Sequence, residues 1–566
     1  MPRRLIGEIL IETRGISEEA IERALLLQKE KKKRIGKVLI EEGVIMEKDL
    51  LQALSVQFGI PYSQTLDSNG IDPAIISRIP INFAKRYELI PVEERDGKLI
   101  VATADPLNIQ ALDDLRVLLG YEIEPLISSE REILGAINRC YEQAANSPEE
   151  IIQDMNEEDS SKILNELEET EIEDLLDATS EAPVIKLVNL ILSQAVKSRA
   201  SDIHIEPYQK ELRIRYRVDG VLYNVLNPPK RYQQAIISRV KIMAKLNIAE
   251  KRLPQDGRIQ VKIADKDVDI RVSVIPTAFG ERVVLRLLDK SNLLLNLGNL
   301  GLSLDKLQRI TRLIHGSHGI VLVTGPTGSG KTTSLYAALS EINSPDKNII
   351  TIEDPIEYQL NGIGQIQVNT KIDLTFAKGL RSIVRQDPDV ILVGEIRDSE
   401  TAEIAIHAAL TGHLVFSTLH TNDAAGAITR LIDMGIEPFL VSSSLNAVIA
   451  QRLVRLICEG CKEPYVPHRE SLKEIGLILE DLENGFLYRG KGCPECLDTG
   501  YKGRTGIYEI LMVNDSIKAL ILQTSESNMI RNKGIENGMT VLREDGAAKV
   551  FEGITTIEEI LRVTQE

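Results

Sequence analysis

The run Gly325-Pro326-Thr327-Gly328-Ser329-Gly330-Lys331-Thr332 restricts what this chain can fold into more than any other stretch. Apolar Ile320 to Val323 precede it and Ser334 to Leu339 follow it, so it reads as a tight glycine turn between a buried strand and a helix. Gly325, Gly328 and Gly330 let backbone N–H groups close around an anion. The new helix turns its positive end toward the same charge. Lys331 is placed to reach the outer phosphates of a nucleotide and the Thr332 hydroxyl to hold Mg²⁺, and Thr333 ends the nucleotide-binding run.

A chain of 566 residues is too long for one core, and three or four domains are expected. The formal net charge of −17 argues against nucleic acid only after its location is known. Between Glu149 and Glu181 fourteen acidic residues stand against one lysine, so the folded parts are near neutral. Neutral parts give no basic footprint, and an aromatic content of 4% without Trp weakens base stacking. No apolar stretch is long enough to span a bilayer and the amino terminus has no apolar signal core, so a cytoplasmic protein without direct membrane insertion is expected.

Along the chain, Gly7-Glu-Ile-Leu-Ile-Glu returns as Gly36-Lys-Val-Leu-Ile-Glu, and Ala24-Leu25-x-x-Gln28 as Ala53-Leu54-x-x-Gln57, both 29 residues on. Each unit reads as an apolar helical turn, a glycine break and an amphipathic helix, giving a helical domain over 1–65. Over 66–145 strand-like pieces at Leu89, Lys98 and Glu122 alternate with helical ones at Gln110–Leu119 and Ser129–Cys140, a small α/β domain. The acidic run, 146–181, reads as a solvated linker or a docking tail. An α+β domain over 182–295 follows, with Ala200-Ser-Asp-Ile-His-Ile-Glu206 and two hairpins. In the second hairpin Ile259, Val261 and Ile263 face Val268, Ile270, Val272 and Val274, which sends Arg258 and Arg271 to the other face as near diagonal neighbours. Two such cations repel unless an anion comes between them or Asp267 and Asp269 neutralise them.

Residues 296–566 read as the nucleotide core. Asn348–Ile352 ends in Glu353-Asp354-Pro355-Ile356-Glu357, Asp389–Val393 ends in Gly394-Glu395, and His413 and His420 flank the third strand, Leu414–Leu419. In a parallel sheet, ligands collect at the carboxyl ends of strands, where all these clusters are expected. Glu395 suits the metal shell, Glu353 and Glu357 compete to activate water, and Arg381, Arg385 and Arg397 are candidate cations within the core. Cys458-x-x-Cys461 and Cys493-x-x-Cys496, in an insert at about 455–500, form a thiolate set suited to structural Zn²⁺, with redox pairs as the alternative. Cys140 reads as a small buried hydrophobe.

The boxes Gly325–Thr332, Thr351–Glu357, Gly394-Glu-Ile-Arg-Asp398 and Thr411–His420, with Ala200–Glu206 and Arg252–Arg258, resemble those of the type II secretion and type IV pilus ATPases. The resemblance runs from about Ala182 to the end. It implies a RecA-like P-loop core behind a small PAS-like α+β domain, ATP and Mg²⁺, and drive for pseudopilus or pilus assembly. It implies Lys331 and Thr332 on phosphate and metal, Glu395 on the metal, Glu357 as base, His413 and His420 as nucleotide sensors, and Arg258 and Arg271 as arginine fingers, with Arg282 next in line. It further implies a homohexamer acting on an inner-membrane platform protein and the machine's cytoplasmic arms. The zinc insert and amino-terminal domains point to assembly or secretion, because retraction motors lack them. A nucleic-acid or DNA-uptake motor is the alternative. Arg34-Ile-Gly36-x-x-Leu39-Ile-x-x-Gly43, running on to Gln57, also resembles the motif of a family of amino-terminal domains that bind cyclic di-GMP through two tandem copies. That adds Arg34, Gly36, Leu39, Gly43 and Gln57, with Gly7 and Gln28 of the first copy, as contacts. The first copy departs from the motif: Leu5 and Arg14 stand where Arg and Gly are expected, with Arg4 and Gly15 each one place off.

Overall fold

The 29-residue repeat becomes two copies of one helix pair. In the computed structural model, α1 (Ile6–Arg14) and α2 (Glu18–Lys31) recur as α3 (Ile35–Glu41) and α4 (Glu47–Phe58). The first copy absorbs its misplaced glycine by running α1 two residues longer than α3. Gly15 then makes the left-handed break at φ 66°, as Gly43 does at 69° in the second copy. The copies interleave, α1 on α4 and α2 on α3, around Leu10, Val38, Leu39 and Ala53.

The structure describes residues 4–31, 33–66, 73–76, 78–95, 97–144, 183–263, 266–289, 296–478, 482 and 485–565. The acidic run 149–181 lies outside them. Compact units comprise Met1–Arg217 with Leu222–Asp289, and Lys290–Glu566 with Val218–Val221.

In the first unit, β1 (Leu89–Arg95), β2 (Lys98–Thr103) and β3 (Glu122–Ile127) form a sheet, antiparallel then parallel. Leu99, Val101, Leu115, Ile133 and Ile137 fill the core against helices Ile109–Leu119 and Glu130–Ala144, and Cys140 is buried among them. A second sheet contains β4 (Ala200–Pro207), β5 (Leu212–Val218), β6 (Val221–Leu226), β7 (Gln255–Ile263), β8 (Lys266–Thr277) and β9 (Gly280–Asp289), in the order β6-β5-β4-β9-β8-β7. Period-two alternation buries Ile203, Ile214, Ile259, Ile270, Val272 and Leu285 and leaves charged residues on the other face.

The second unit is built on β10 (Gly319–Thr324), β11 (Ile349–Glu353), β12 (Gly364–Gln367), β13 (Val390–Val393), β14 (Leu414–Leu419) and β15 (Leu445–Ile457). A hairpin of β16 (Lys462–Tyr465) and β17 (Leu487–Gly490) precedes β18 (Tyr501–Met512), and the main sheet has the order β12-β11-β13-β14-β10-β15-β18. All its pairings are parallel except β15 with β18. Every residue of β10, β13 and β14 is buried, as unbroken apolar runs require when both faces are covered. Parallel pairing brings the carboxyl ends of β10, β11, β13 and β14 to one edge. Among the described residues no helix is long and apolar enough to cross a membrane.

Candidate active site

The glycine turn leaves β10 and enters the helix Lys331–Ile342 through Gly330, whose φ of 88° only glycine takes without strain. Gly325 is fixed by contact: a Cβ there would lie 2.5 Å from the Gln451 carbonyl and 2.6 Å from Ser329 Oγ. Lys331 Nζ folds back and donates to the carbonyls of Gly325 (2.7 Å) and Pro326 (3.1 Å). Burial pushes this ammonium down to about 8, with Glu395 pulling it back and Arg452 adding to the push. Buried Ser329 Oγ has no protein partner. Two donors held in a closed loop without a carboxylate in bonding contact suit a polyanion.

Glu395, just past β13, is the acid beside this loop. Its carboxylate pairs with Arg397 and lies 3.3 Å from His420 Nε2. The strand-end carboxylates of β11 behave differently from each other. Glu353 is 3% exposed and both its oxygens are engaged: Thr351 Oγ1 (2.6 Å) and Gln365 Nε2 (3.2 Å) donate to one, and the Tyr336 hydroxyl to the other. Glu357 is half-buried in the loop that follows.

His413 corrects the expectation that every polar cluster lies at a carboxyl end. It precedes β14, at the edge opposite His420, where its Nδ1 is 2.8 Å from the Ala408 carbonyl and 3.2 Å from Thr411 Oγ1. Six strand residues at about 3.3 Å each separate the two histidines. Of the core arginines, Arg381 pairs with Glu400 (2.6 Å) and Arg385 donates to Ser382 Oγ (3.4 Å), so Arg397 is the one that meets the site acid.

On the first unit's sheet, Arg258 and Arg271 are directly opposite each other, not diagonal. The hairpin closes from Ile263 opposite Lys266, and that register sets the pair face to face. Asp269 is the acid expected to neutralise them. Its side chain is 4% exposed and grips Arg258, whose own is 57% exposed, with both oxygens. The side chain of Asp267 lies outside the described residues. Arg286 on β9 stands directly opposite Arg271 and pairs with Asp202 at 3.0 Å. The row is therefore Arg258, Arg271, Arg286 across three strands. Arg282 pairs instead with buried Glu206, which Arg215 also holds. The Arg271–Arg286 pairing was accessible to the same period-two count across the Thr277–Gly280 turn.

Cys458, Cys461, Cys493 and Cys496 bring four sulfurs within 4.8 Å of one another, with Cys458–Cys493 and Cys461–Cys496 at 3.8 Å. A tetrahedron with Zn–S near 2.3 Å has edges of about 3.8 Å. Backbone N–H groups of Gly492, Cys493 and Gly500 point at the sulfurs of Cys461 and Cys496 at 3.2–3.3 Å, which favours thiolates. The donor set fits zinc.

In the amino-terminal repeat, Arg34 and Leu5 occupy equivalent positions just before α3 and α1. Gln57 Nε2 donates to the Arg4 carbonyl (3.0 Å), tying the end of one copy to the start of the other. Arg34 is held by both oxygens of Asp105 at 2.8 Å. Gly36 and Gly7 are packing positions: a Cβ would sit 2.5 Å from Leu50 Cδ1 and 3.0 Å from Ile21 Cγ2. Leu39 is buried in the core of the repeat, while Gln28 is half-buried on α2.

The sequence reading missed residues that shape the phosphate loop from behind. Gln451, on β15, accepts from Ser334 Oγ (2.8 Å), and its Nε2 would be 2.7 Å from a Cβ on Gly330. Arg452 spans from Gly325 to the Asn422 carbonyl (2.9 Å). No spacing rule reaches them, since over a hundred residues intervene.

A family model described as type II/IV secretion system protein matches residues 177–562, and an MshEN domain model matches residues 58–147. The type IV pilus assembly ATPase PilB of Myxococcus xanthus is 47% identical over 559 residues, covering 98% of each chain. The type II secretion system ATPase E of Vibrio cholerae is 48% identical over 494 residues, covering 87% of this chain and 97% of its own. The X-ray structure of the Yersinia pseudotuberculosis ATPase DotB, 20% identical, aligns with 67% of this chain and 93% of its own at a TM-score of 0.50, a likeness of fold.

Proposed function

The chain belongs to the type II/IV secretion system protein family and is an ATPase of the secretion-motor class, and we propose that it hydrolyses ATP as a homohexamer to drive pseudopilus or pilus assembly. The observation that carries this reading is one sheet edge: the phosphate loop with Lys331 seated on its own carbonyls, and Glu395 and Glu357 following β13 and β11 of the same sheet. Backbone N–H groups from Gly325 to Thr333 surround the phosphates, and Lys331 takes the β and γ oxygens. Thr332 and Glu395 would hold Mg²⁺, which when bound screens the charge between those phosphates. Glu357 is the base, since both oxygens of Glu353 are committed to Tyr336, Thr351 and Gln365. Glu357 accepts a proton from the attacking water as the new P–O bond forms and the bridging bond to the β phosphate breaks, releasing ADP and phosphate. His420, bonded to Glu395, senses occupation of that site; the position of His413 supports no such contact within one chain.

The cation for the γ phosphate comes from the Arg258–Arg271–Arg286 row, presented to the core of a neighbouring copy. Zn²⁺ on the four cysteines is structural, and the amino-terminal repeat binds cyclic di-GMP through Arg34 and its companions. The motor acts in the cytoplasm, held at the inner membrane by a platform protein and cytoplasmic arms. The near-neutral surface favours this reading over a nucleic-acid motor. Steady-state ATPase assays test it. Lys331→Ala abolishes turnover, and Arg258→Ala and Arg271→Ala each lower it at least about a hundredfold. Full activity in Lys331→Ala refutes the site, and wild-type rates in both arginine variants move the role to Arg286.

A further inference from the structure

In the main sheet β14 lies between β13, which leads to Glu395, and β10, which leads to the phosphate loop. The span between the site acid and that loop is therefore set across β14. The backbone ladders stop short of the site, at Val393 opposite Ser417 on one side and Thr324 opposite Leu419 on the other. Two threonine hydroxyls carry the connection further. Thr418, 5% exposed, donates through Oγ1 to the Gly394 carbonyl (2.7 Å), and its own carbonyl accepts from the Ile396 N–H (3.0 Å). One residue of β14 thus grips the chain immediately before and immediately after Glu395. Two residues further on, His420 Nε2 lies 3.3 Å from the Glu395 carboxylate. On the other side Thr421 bonds to Thr324, the fully buried residue that precedes Gly325. Their hydroxyl oxygens are 2.7 Å apart, and the Thr421 N–H donates to Thr324 Oγ1 (2.9 Å). The Thr421 hydroxyl in turn donates to the Asp423 carbonyl (3.0 Å), and the Asp423 carboxylate caps the helix Ala424–Asp433 by accepting from the Gly426 N–H (2.6 Å).

We propose that Thr418 and Thr421 are positioning residues for the metal site: they fix the Glu395 turn and the phosphate loop to one strand end, so that the Glu395 carboxylate and the Thr332 hydroxyl can close on one Mg²⁺ ion. The inference rests on the reading of Glu395 as a metal-holding acid. Loss of a group that orients a metal ligand from behind costs about 10–100-fold in metal affinity or activity. Neither threonine belongs to the run Gly325–Thr333, so nucleotide held without metal does not depend on them. Valine keeps the branched shape and removes the hydroxyl, leaving the Gly394 carbonyl or the Thr324 hydroxyl one partner short.

The test compares full-length wild type with Thr418→Val, Thr418→Ser, Thr421→Val and Glu395→Gln. Equilibrium binding of a non-hydrolysable ATP analogue is followed through a Mg²⁺ titration, with single-turnover hydrolysis of ATP alongside. Thr418→Val is expected to raise the Mg²⁺ concentration for half-maximal tightening about tenfold, while metal-free affinity stays within about twofold of wild type. Thr421→Val is expected to shift the same way by a smaller factor. Thr418→Ser, which keeps the hydroxyl, is expected to respond to Mg²⁺ within about twofold of wild type. An unchanged Mg²⁺ response in both valine variants, an equal shift in Thr418→Ser, or metal-free affinity falling in step with the response would each overturn the proposal. If Thr418→Val does not fold, half-buried Thr421→Val decides it alone. A Glu395→Gln variant with the wild-type Mg²⁺ response refutes the metal reading of Glu395 and the proposal with it; a lost response there beside intact ones in the valine variants refutes the proposal alone.

Discussion

Replacing Glu353 and Glu357 in turn by Gln separates a structural carboxylate from a chemical one. Glu353 accepts from Thr351, Gln365 and Tyr336 at 3% exposure. Hydrogen bonds to a buried charge are worth about 1.5–3 kcal/mol each, against about 0.5–1.5 for neutral ones. An amide keeps two acceptor bonds in weakened form but turns an NH2 toward Tyr336, whose proton then has no acceptor. Relief of carboxylate desolvation offsets part of this, leaving a loss of about 3 kcal/mol. For a unit of this size about 2–4 °C of Tm follows each kcal/mol, so Glu353→Gln should melt roughly 6–12 °C below wild type. Glu357→Gln, at a half-buried loop position, should melt within about 2 °C of wild type and lose at least about a hundredfold in turnover, the low end for a general base. Calorimetry paired with single-turnover hydrolysis reads both quantities. A Glu353→Gln variant with wild-type Tm and abolished turnover would reverse the two roles and refute the reasoning from burial.

Metal analysis of the purified chain should find about one Zn²⁺ per protomer, and Cys461→Ser should lower that content and the melting temperature together; full thermal stability after complete removal of the metal would exclude a structural role. Glu559 gives a pH signature. Burial would raise its pKa, but hydrogen bonds and charges from Arg562 and Arg455 outweigh burial and hold it at about 2. A carboxylate depressed from 4.5 contributes stability that is fully present above pH 4.5 and lost as pH falls through 2, about 3 kcal/mol in all. Glu559→Gln should therefore be less stable than wild type at pH 7, with the gap narrowing between pH 5 and pH 3 in urea titrations; a constant gap removes the charge from the account. Calorimetric titration of the full chain with cyclic di-GMP should give binding that Arg34→Ala weakens at least about tenfold, the loss of one charge-assisted contact. Equal affinity in both would remove Arg34 from the ligand site.

The phosphate loop was legible because its chemistry fixes residue types at neighbouring positions: glycine at Gly325 and Gly330, where a side chain would strike Gln451, then Lys331 and Thr332. The repeat was legible for a similar reason, since one spacing of 29 sets both helix starts in each copy. The choice between Glu353 and Glu357 was not. It depends on Tyr336, Thr351 and Gln365 converging on one carboxylate, and residues drawn from a helix and two strands have no common spacing. His413 shows a different failure. Both histidines adjoin one strand, but only the direction of β14 relative to β10 says which shares an edge with Lys331.

The arginine row shows what register adds to alternation. Period two correctly sends Arg258 and Arg271 to one face, but whether they are diagonal or opposite turns on a single residue in the hairpin, and Ile263 opposite Lys266 makes them opposite. Cβ atoms of directly opposed residues are about 4.5–5.5 Å apart, so two guanidinium groups so placed, with Arg286 continuing the line, repel across the sheet. Asp269 and Asp202 answer the outer two from buried or nearly buried positions and leave Arg258 and Arg286 more than half exposed. Both acids lie beneath the row, and its outer guanidinium groups reach solvent. Exposed guanidinium groups held from beneath remain open to an incoming anion, which is the behaviour a shared catalytic cation requires. Asp269→Asn should therefore lower the stability of the free protein by freeing Arg258, without abolishing turnover, because the acid is not the group offered to phosphate. If Asp269→Asn were as inactive as Arg271→Ala while fully folded, the acid itself would have to belong to the chemistry and the row could not act by charge alone.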